Sequence, residues 1–236
     1  MPVGIAVAPI SPAYSLLSKT AERVRHAVEL LTPGLVFAAD GARYAAAIEA
    51  AVPPDTELVF LEGAMAGRPS TRYDELANTP VTQQVAQAHE AVKPDTVAKF
   101  LFTSGSTKLP KAVVNTHGML TCNQQMFLQC YPFLTGQPPV LVDWMPWHHT
   151  GAGNHNFGLV LYHGGSLYID EGKPTVDGMA QTISNLKEVA PTIYYSVPKG
   201  LEMLAQAMKT DLALRDRFFS RLCNLFPQGA AMSAPL

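Results

Sequence analysis

Short apolar runs alternate along the chain with longer stretches in which apolar residues recur every three to four positions. The runs at 4–8, 35–39, 57–61, 97–102, 112–115, 140–144, 166–169, 192–197 and 221–226 predict strands. Between them, 14–31, 41–51, 81–91, 117–131, 154–162, 176–189, 199–208 and 211–219 predict helices. In the first helix Val24, Ala27, Val28 and Leu31 share a face, and Pro33-Gly34 follows as a stop. Thr116 is placed as an N-cap for the helix that begins at His117. Residues 62–77 carry no clear period and are expected to be a loop. The strand segments are continuous apolar runs, without clean apolar–polar alternation. That pattern belongs to buried parallel strands with helices on their faces. The expected fold class is α/β, with mostly parallel sheets flanked by helices. No Gly/Ser linker, repeat or low-complexity tract divides residues 1–236, so one domain is expected.

Composition narrows the function classes. The chain has 236 residues, 47% of them apolar and 15% charged, which is ample core material. A formal net charge of −2 provides no footprint for nucleic acid or for an anionic membrane. Three cysteines, Cys122, Cys130 and Cys223, form no CxxC pair and suggest no disulfide framework, so a reducing cytoplasm is the expected compartment. The first 17 residues lack a basic n-region and contain Pro2, Pro9 and Pro12, unlike a signal peptide. No apolar run approaches the ~18 residues of a membrane span.

The densest chemistry lies at 100–117. An apolar run ends at Phe102 and is followed by Thr103-Ser104-Gly105-Ser106-Thr107, then Lys108, Pro110 and Lys111, then a second apolar run. Four hydroxyls, small residues that free backbone N–H groups, and two cations in one loop suit a polyphosphate. The loop is not a Walker A motif. Five residues beyond Gly105 stand Pro110-Lys111-Ala112, without the second glycine or the hydroxyl after the lysine. Its spacing resembles the phosphate loop of the AMP-forming acyl-CoA synthetase (adenylate-forming, AMP-binding) superfamily, Thr-Ser-Gly-Ser/Thr-Thr-Gly-x-Pro-Lys-Gly-Val. Thr103, Ser104, Gly105, Ser106, Thr107, Pro110, Lys111 and Val113 are in register, while Lys108 and Ala112 stand where glycine is usual. A side chain held at φ > 0 costs about 1 kcal/mol, so either the loop avoids that conformation or Lys108 is strained there.

Further segments extend the resemblance. Trp144-Met145-Pro146-Trp147-His148-His149 resembles the superfamily's Leu-Pro-x-aromatic-His motif, with His149 at the histidine and His148 at the aromatic position. Gly229-Ala230-Ala231 resembles the adenine-binding turn. The stretch 141–174, with Asn115-Thr116-His117, Asn123-Gln124-Gln125-Met126 and 190–200, resembles feruloyl-CoA synthases in particular. The resemblance implies catalytic roles for Thr103, Lys111 and His149. It implies nucleotide contacts from residues 103–108, Lys111, Gly229, Ala230 and Ala231, and an acid pocket with His148, His149, Asn154 and His155. The histidine spacings fit no zinc pattern, and no protein metal site is expected. No GxSxG elbow supports a serine hydrolase.

For a complete superfamily enzyme, the resemblance implies ATP, Mg²⁺ and CoA, and an acid such as ferulate converted through an acyl adenylate to its thioester. Both ends of the chain resemble the interior of a larger N-terminal domain. The Tyr-Gly-x-Thr-Glu motif, ribose aspartate and late lysine of the superfamily lie beyond what the 236 residues match. The isolated chain is therefore expected to show no exchange activity, and a non-catalytic remnant or nucleotide-binding module is the competing reading.

Overall fold

A computed structural model describes residues 3–103 and 109–232. The chain divides into two compact units, Met1–Thr116 and His117–Leu236.

In the first unit, β1 (Leu35–Asp40), β2 (Glu57–Glu62) and the two-residue β3 (Thr71–Arg72) form a parallel sheet. Helices α1 (Pro12–Leu16), α2 (Glu22–Leu31) and α3 (Gly41–Ala51) belong to the same unit. Asp40 ends β1 and caps α3, its carboxylate accepting from Ala42 N at 2.9 Å and Arg43 N at 3.2 Å. The next residue is glycine for a steric reason, because a Cβ there would meet the Phe60 ring at 2.6 Å. Ile48, Val52, Leu58 and Phe60 make the core, with Val28, Val36 and Tyr44 against them. Burying side chains of this size contributes roughly 1.5–3 kcal/mol each. Short helices α4 (Tyr73–Ala77) and α5 (Gln83–Glu90) precede β4 (Val97–Phe102) and β5 (Ala112–Thr116). These last two strands form an antiparallel hairpin.

The second unit holds two parallel pairs. β6 (Val140–Asp143) pairs with β7 (Ser166–Ile169), and β8 (Ile193–Ser196) pairs with β9 (Asn224–Pro227). Fully buried Thr192 ties the pairs together. Its N–H donates to Val140 O at 3.0 Å, its hydroxyl accepts from Val140 N at 2.8 Å, and its carbonyl accepts from Cys223 N at 2.7 Å. Around them stand α6 (His117–Cys130), α7 (Phe157–His163), α8 (Val176–Glu188), α9 (Pro198–Met208) and α10 (Leu212–Phe219). Thr175 caps α8 through Gly178 N, and Asp211 caps α10 through Leu214 N while pairing with Lys187 at 2.6 Å. Val142, Leu186, Tyr194, Leu201, Leu204, Leu214 and Phe218 form one core cluster, and Leu141, Leu159, Ile193 and Tyr195 belong to another.

The α/β class with mostly parallel strands is the observed one. Four local expectations change. Residues 4–8 make only a single parallel bridge, Val7 to Lys99, because Gly4 turns at φ 76° and Pro9 lacks a donor. The helix expected at 14–31 is two helices, broken before α2 where Ala21 adopts φ 49°. Residues 62–77 contain β3 and α4. The helix expected from 154 is preceded by a wide π-helical turn, Gly151–Asn156, that runs into α7.

Candidate functional site

The hairpin of β4 and β5 shapes the mouth of the hydroxyl-rich loop. Phe102 is in register with Ala112, and one step further Thr103 N donates to Lys111 O at 3.0 Å. Lys111 N donates to Thr103 Oγ1 at 3.3 Å. The two residues thus hold each other at the root of the loop, and both are exposed. Thr103 accepts in that contact, so its hydroxyl proton stays available for an anionic oxygen. His26, on α2, sits with Nε2 2.9 Å from Pro110 O and so anchors the residue before Lys111. Ala112, in the position where glycine is usual in the superfamily, lies in ordinary strand geometry. The expected contacts Ser104, Gly105, Ser106, Thr107 and Lys108 lie outside the described residues.

In the second unit the segments of interest follow the carboxyl ends of parallel strands, where α/β sheets gather ligands. Residues 144–150 follow β6, and 228–231 follow β9. Among them His149 is exposed and His148 half-buried, their rings 4.5 Å apart. A tight turn sets them: His149 N donates to Pro146 O at 3.0 Å, and Gly153 N donates to His149 O at 2.8 Å. Gly153 admits no side chain, since a Cβ would overlap the Trp147 carbonyl oxygen. Burial lowers the basicity of His148, and the neighbouring His149 lowers it further. Gly151 lies against Gln228, the residue before Gly229; a Cβ on Gly151 would be 2.9 Å from Gln228 Oε1. The turn after β9 therefore adjoins the turn after β6.

Asn154 Nδ2 donates to Thr150 Oγ1 at 3.3 Å. His155 points into an aromatic group. Its Nδ1 lies 3.3 Å from Asn123 Oδ1 and its Nε2 2.9 Å from Tyr195 OH, with Phe127 and Tyr195 edge-on to the ring. With the Asn123 oxygen facing it, Nδ1 donates, which leaves Nε2 to accept the Tyr195 proton. Burial lowers the His155 pKa and raises that of Tyr195, so both are neutral partners. Tyr195 also stacks on Phe226 at 5.1 Å.

The model of one family, described as AMP-binding enzyme, matches residues 1–236. The chain belongs to the AMP-binding enzyme family. Among its curated relatives, the long-chain-fatty-acid–CoA ligase ACSBG2 of Homo sapiens is 27% identical over 142 residues, 60% of this chain and 21% of that protein. The peroxisomal long chain acyl-CoA synthetase 6 of Arabidopsis thaliana is 29% identical over 136 residues, 56% of this chain and 18% of that one. A malonyl-CoA ligase solved with methylmalonyl-CoA and AMP bound superposes with a TM-score of 0.71 at 19% identity, covering 99% of this chain and 43% of the ligase. The chain thus spans under half of that ligase, and its matches span about a fifth of those two relatives.

In this member of the family the turn after β9 leaves its backbone exposed. Gly229 adopts φ 82°, and an added Cβ would meet only Val197 Cγ1, at 3.6 Å, while Ala230 and Ala231 are exposed. Among the described residues no group of three His, Cys, Asp or Glu side chains is arranged for a metal, and no helix is long and apolar enough to cross a membrane. Sequence reasoning missed two buried carboxylates beside the histidine turn. Asp143, the last residue of β6, accepts from Met145 N at 3.0 Å and from Asn156 Nδ2 at 2.9 Å. Asp170, just past β7, accepts from Gly172 N, Thr182 Oγ1 and Asn185 Nδ2 at 2.7–2.8 Å. The available signal was an acid directly after an apolar run, next to a motif rich in histidine.

Proposed function

We propose that this chain carries the nucleotide- and acid-binding part of an AMP-forming acid–CoA ligase, and that the acid is an aromatic one such as ferulate. The hairpin mouth carries the reading: Thr103 and Lys111, eight residues apart, are locked side by side and exposed at the root of a hydroxyl-rich loop. In the reaction a carboxylate oxygen attacks the α-phosphorus of ATP, pyrophosphate leaves, and the CoA thiol then displaces AMP to give the thioester. Lys111 and the Thr103 hydroxyl hold phosphate oxygens and stabilise charge on the departing pyrophosphate. Mg²⁺ would be held mainly by the phosphates and would supply neutralising charge to the oxygens that Thr103 and Lys111 contact. The turn at Gly229, Ala230 and Ala231 lays backbone against the purine, and His149 orients the acid. His148, Asn154 and His155 line or support the acid pocket.

The aromatic substrate rests on the resemblance of residues 141–174 and 190–200 to feruloyl-CoA synthases; behind the histidine turn Phe127, Tyr131, Tyr195 and Phe226 pack on one another and on His155 at 4.4–5.9 Å as core. A second reading, a long-chain fatty acid, has the named activities of the human and Arabidopsis relatives in its favour. The test is ATP–pyrophosphate exchange by the protein expressed from its complete reading frame, with hydroxycinnamates and C16–C18 fatty acids offered separately. Exchange driven by hydroxycinnamates supports the first reading, and exchange driven only by fatty acids replaces it with the second. ATP binding without exchange on any acid leaves a nucleotide-binding module.

A further inference from the structure

Asp143 holds both ends of the histidine turn. Its two carboxylate oxygens face different partners: Oδ1 accepts from Met145 N at 3.0 Å, and Oδ2 accepts from Asn156 Nδ2 at 2.9 Å. Met145 opens the segment and Asn156 closes it, so one side chain spans the twelve residues that contain His148 and His149. Asp143 is 4% exposed and Asn156 fully buried. Burial pushes the Asp143 carboxyl up, the donors Asn156 and Met145 N pull it back, and the nearby Asp170 charge pushes it up again. The neighbouring carboxylate does not compete for these donors. Asp170 has its own three donors, and its backbone N–H donates to Asp143 O at 3.0 Å, fixing the strand end from which the side chain projects. Inside the clasped segment the Pro146–His149 turn and the contact of Gly153 with Trp147 leave little freedom.

We propose that Asp143 is a positioning residue that, through Met145 N and Asn156, fixes His148 and His149 in place for the acid. Its part in acid binding rests on the ligase reading above; the clasp itself does not. The chemistry defines a swap. Asp143→Asn keeps one oxygen for Met145 N and is tolerated, because Asn156 can turn its amide over and offer the otherwise unpartnered Oδ1 to the new amide. Asn156→Asp places two carboxylates against each other. The double variant Asp143→Asn/Asn156→Asp reverses donor and acceptor and restores both bonds.

The experiment treats the chain and its three variants with diethylpyrocarbonate and follows carbethoxylation of His148 and His149 by peptide mass spectrometry. His148 is half-buried by the turn, so Asn156→Asp should raise its rate at least threefold, while the double variant should return it to within a factor of two of the parent. Unchanged His148 reactivity in Asn156→Asp overturns the clasp. So does a double variant that fails to fold or that keeps the fast rate. If a single variant does not fold, the double variant alone decides. Exchange kinetics form a separate arm, run on the protein of the exchange test above, in which Asn156→Asp should raise KM for the acid at least tenfold and KM for ATP less than threefold. If the histidine pattern holds while that protein shows no exchange with any acid, the clasp stands and the ligase reading fails.

Discussion

Replacing Thr192 by valine removes one hydrogen-bond acceptor at the seam between the two strand pairs and leaves the shape almost unchanged. Thr192 is fully buried, and its hydroxyl is the acceptor for Val140 N at 2.8 Å. In the variant that N–H loses its acceptor, at a cost of about 1–3 kcal/mol. The backbone bonds of Thr192 to Val140, Cys223 and Asn224 remain, so the strands stay in order. For a unit of roughly 120 residues, each kcal/mol moves the melting temperature by about 3–5 °C. The expected loss is therefore about 3–15 °C. Tryptophan fluorescence is the assay of choice. The chain has two tryptophans, Trp144 and Trp147, and both lie in the second unit, in the segment following β6. Urea unfolding read on these residues should show a lower midpoint with an unchanged slope. Amide exchange at Val140 should accelerate at least tenfold relative to its neighbour Leu141. A variant as stable as the parent, with Val140 still protected, would refute the claim that this hydroxyl joins the pairs.

Two further outcomes follow from the same unit. Gly153→Ala forces a methyl into the Trp147 carbonyl oxygen, which belongs to the backbone and cannot rotate away; a loss of about 1–3 kcal/mol is expected in urea unfolding, and a neutral result would mean that the turn is looser than drawn. Burial holds His148, His155 and His163 below the ordinary imidazole value of 6.5, so just below that pH the unfolded chain binds more protons than the folded one. Their contribution to stability is therefore complete above about pH 6.5 and is lost as pH falls through the folded values. Melting at pH 7.5 and 5.5 should show the drop, and His155→Gln should reduce it; an equal drop in that variant would exclude His155 as a source.

The two strands that flank residues 103–111 were legible because small polar residues interrupt two apolar runs, but their antiparallel pairing was not, since continuous apolar runs read as buried parallel strands. The α3 boundaries were equally plain: Asp40 is a capping residue directly after an apolar strand, and Pro53 follows the last turn. The break between α1 and α2 was not visible. Apolar spacing continues through Ser18-Lys19-Thr20, and Ala21, a strong helix former, gives no hint of a left-handed backbone. The candidate site divides in the same way. His148 and His149 stood out as residue types within a recognisable spacing. The clasp of Asp143 with Asn156, and the bond of His155 to Tyr195 forty residues away, arise only when strands and helices pack, and no local pattern encodes them.

Nucleotide binding at the hairpin mouth is the central claim, and equilibrium titration of MgATP into the 236-residue chain tests it most directly. Lys111→Ala removes a cation whose charge-assisted bond to phosphate is worth about 1.5–3 kcal/mol, so the dissociation constant should rise roughly 10- to 150-fold. Lys19→Ala, at an exposed lysine outside the hairpin, should leave it within a factor of two. Saturable binding that weakens in the first variant and not in the second is the predicted result. No measurable MgATP binding, or binding that Lys111→Ala leaves unchanged, would contradict the account.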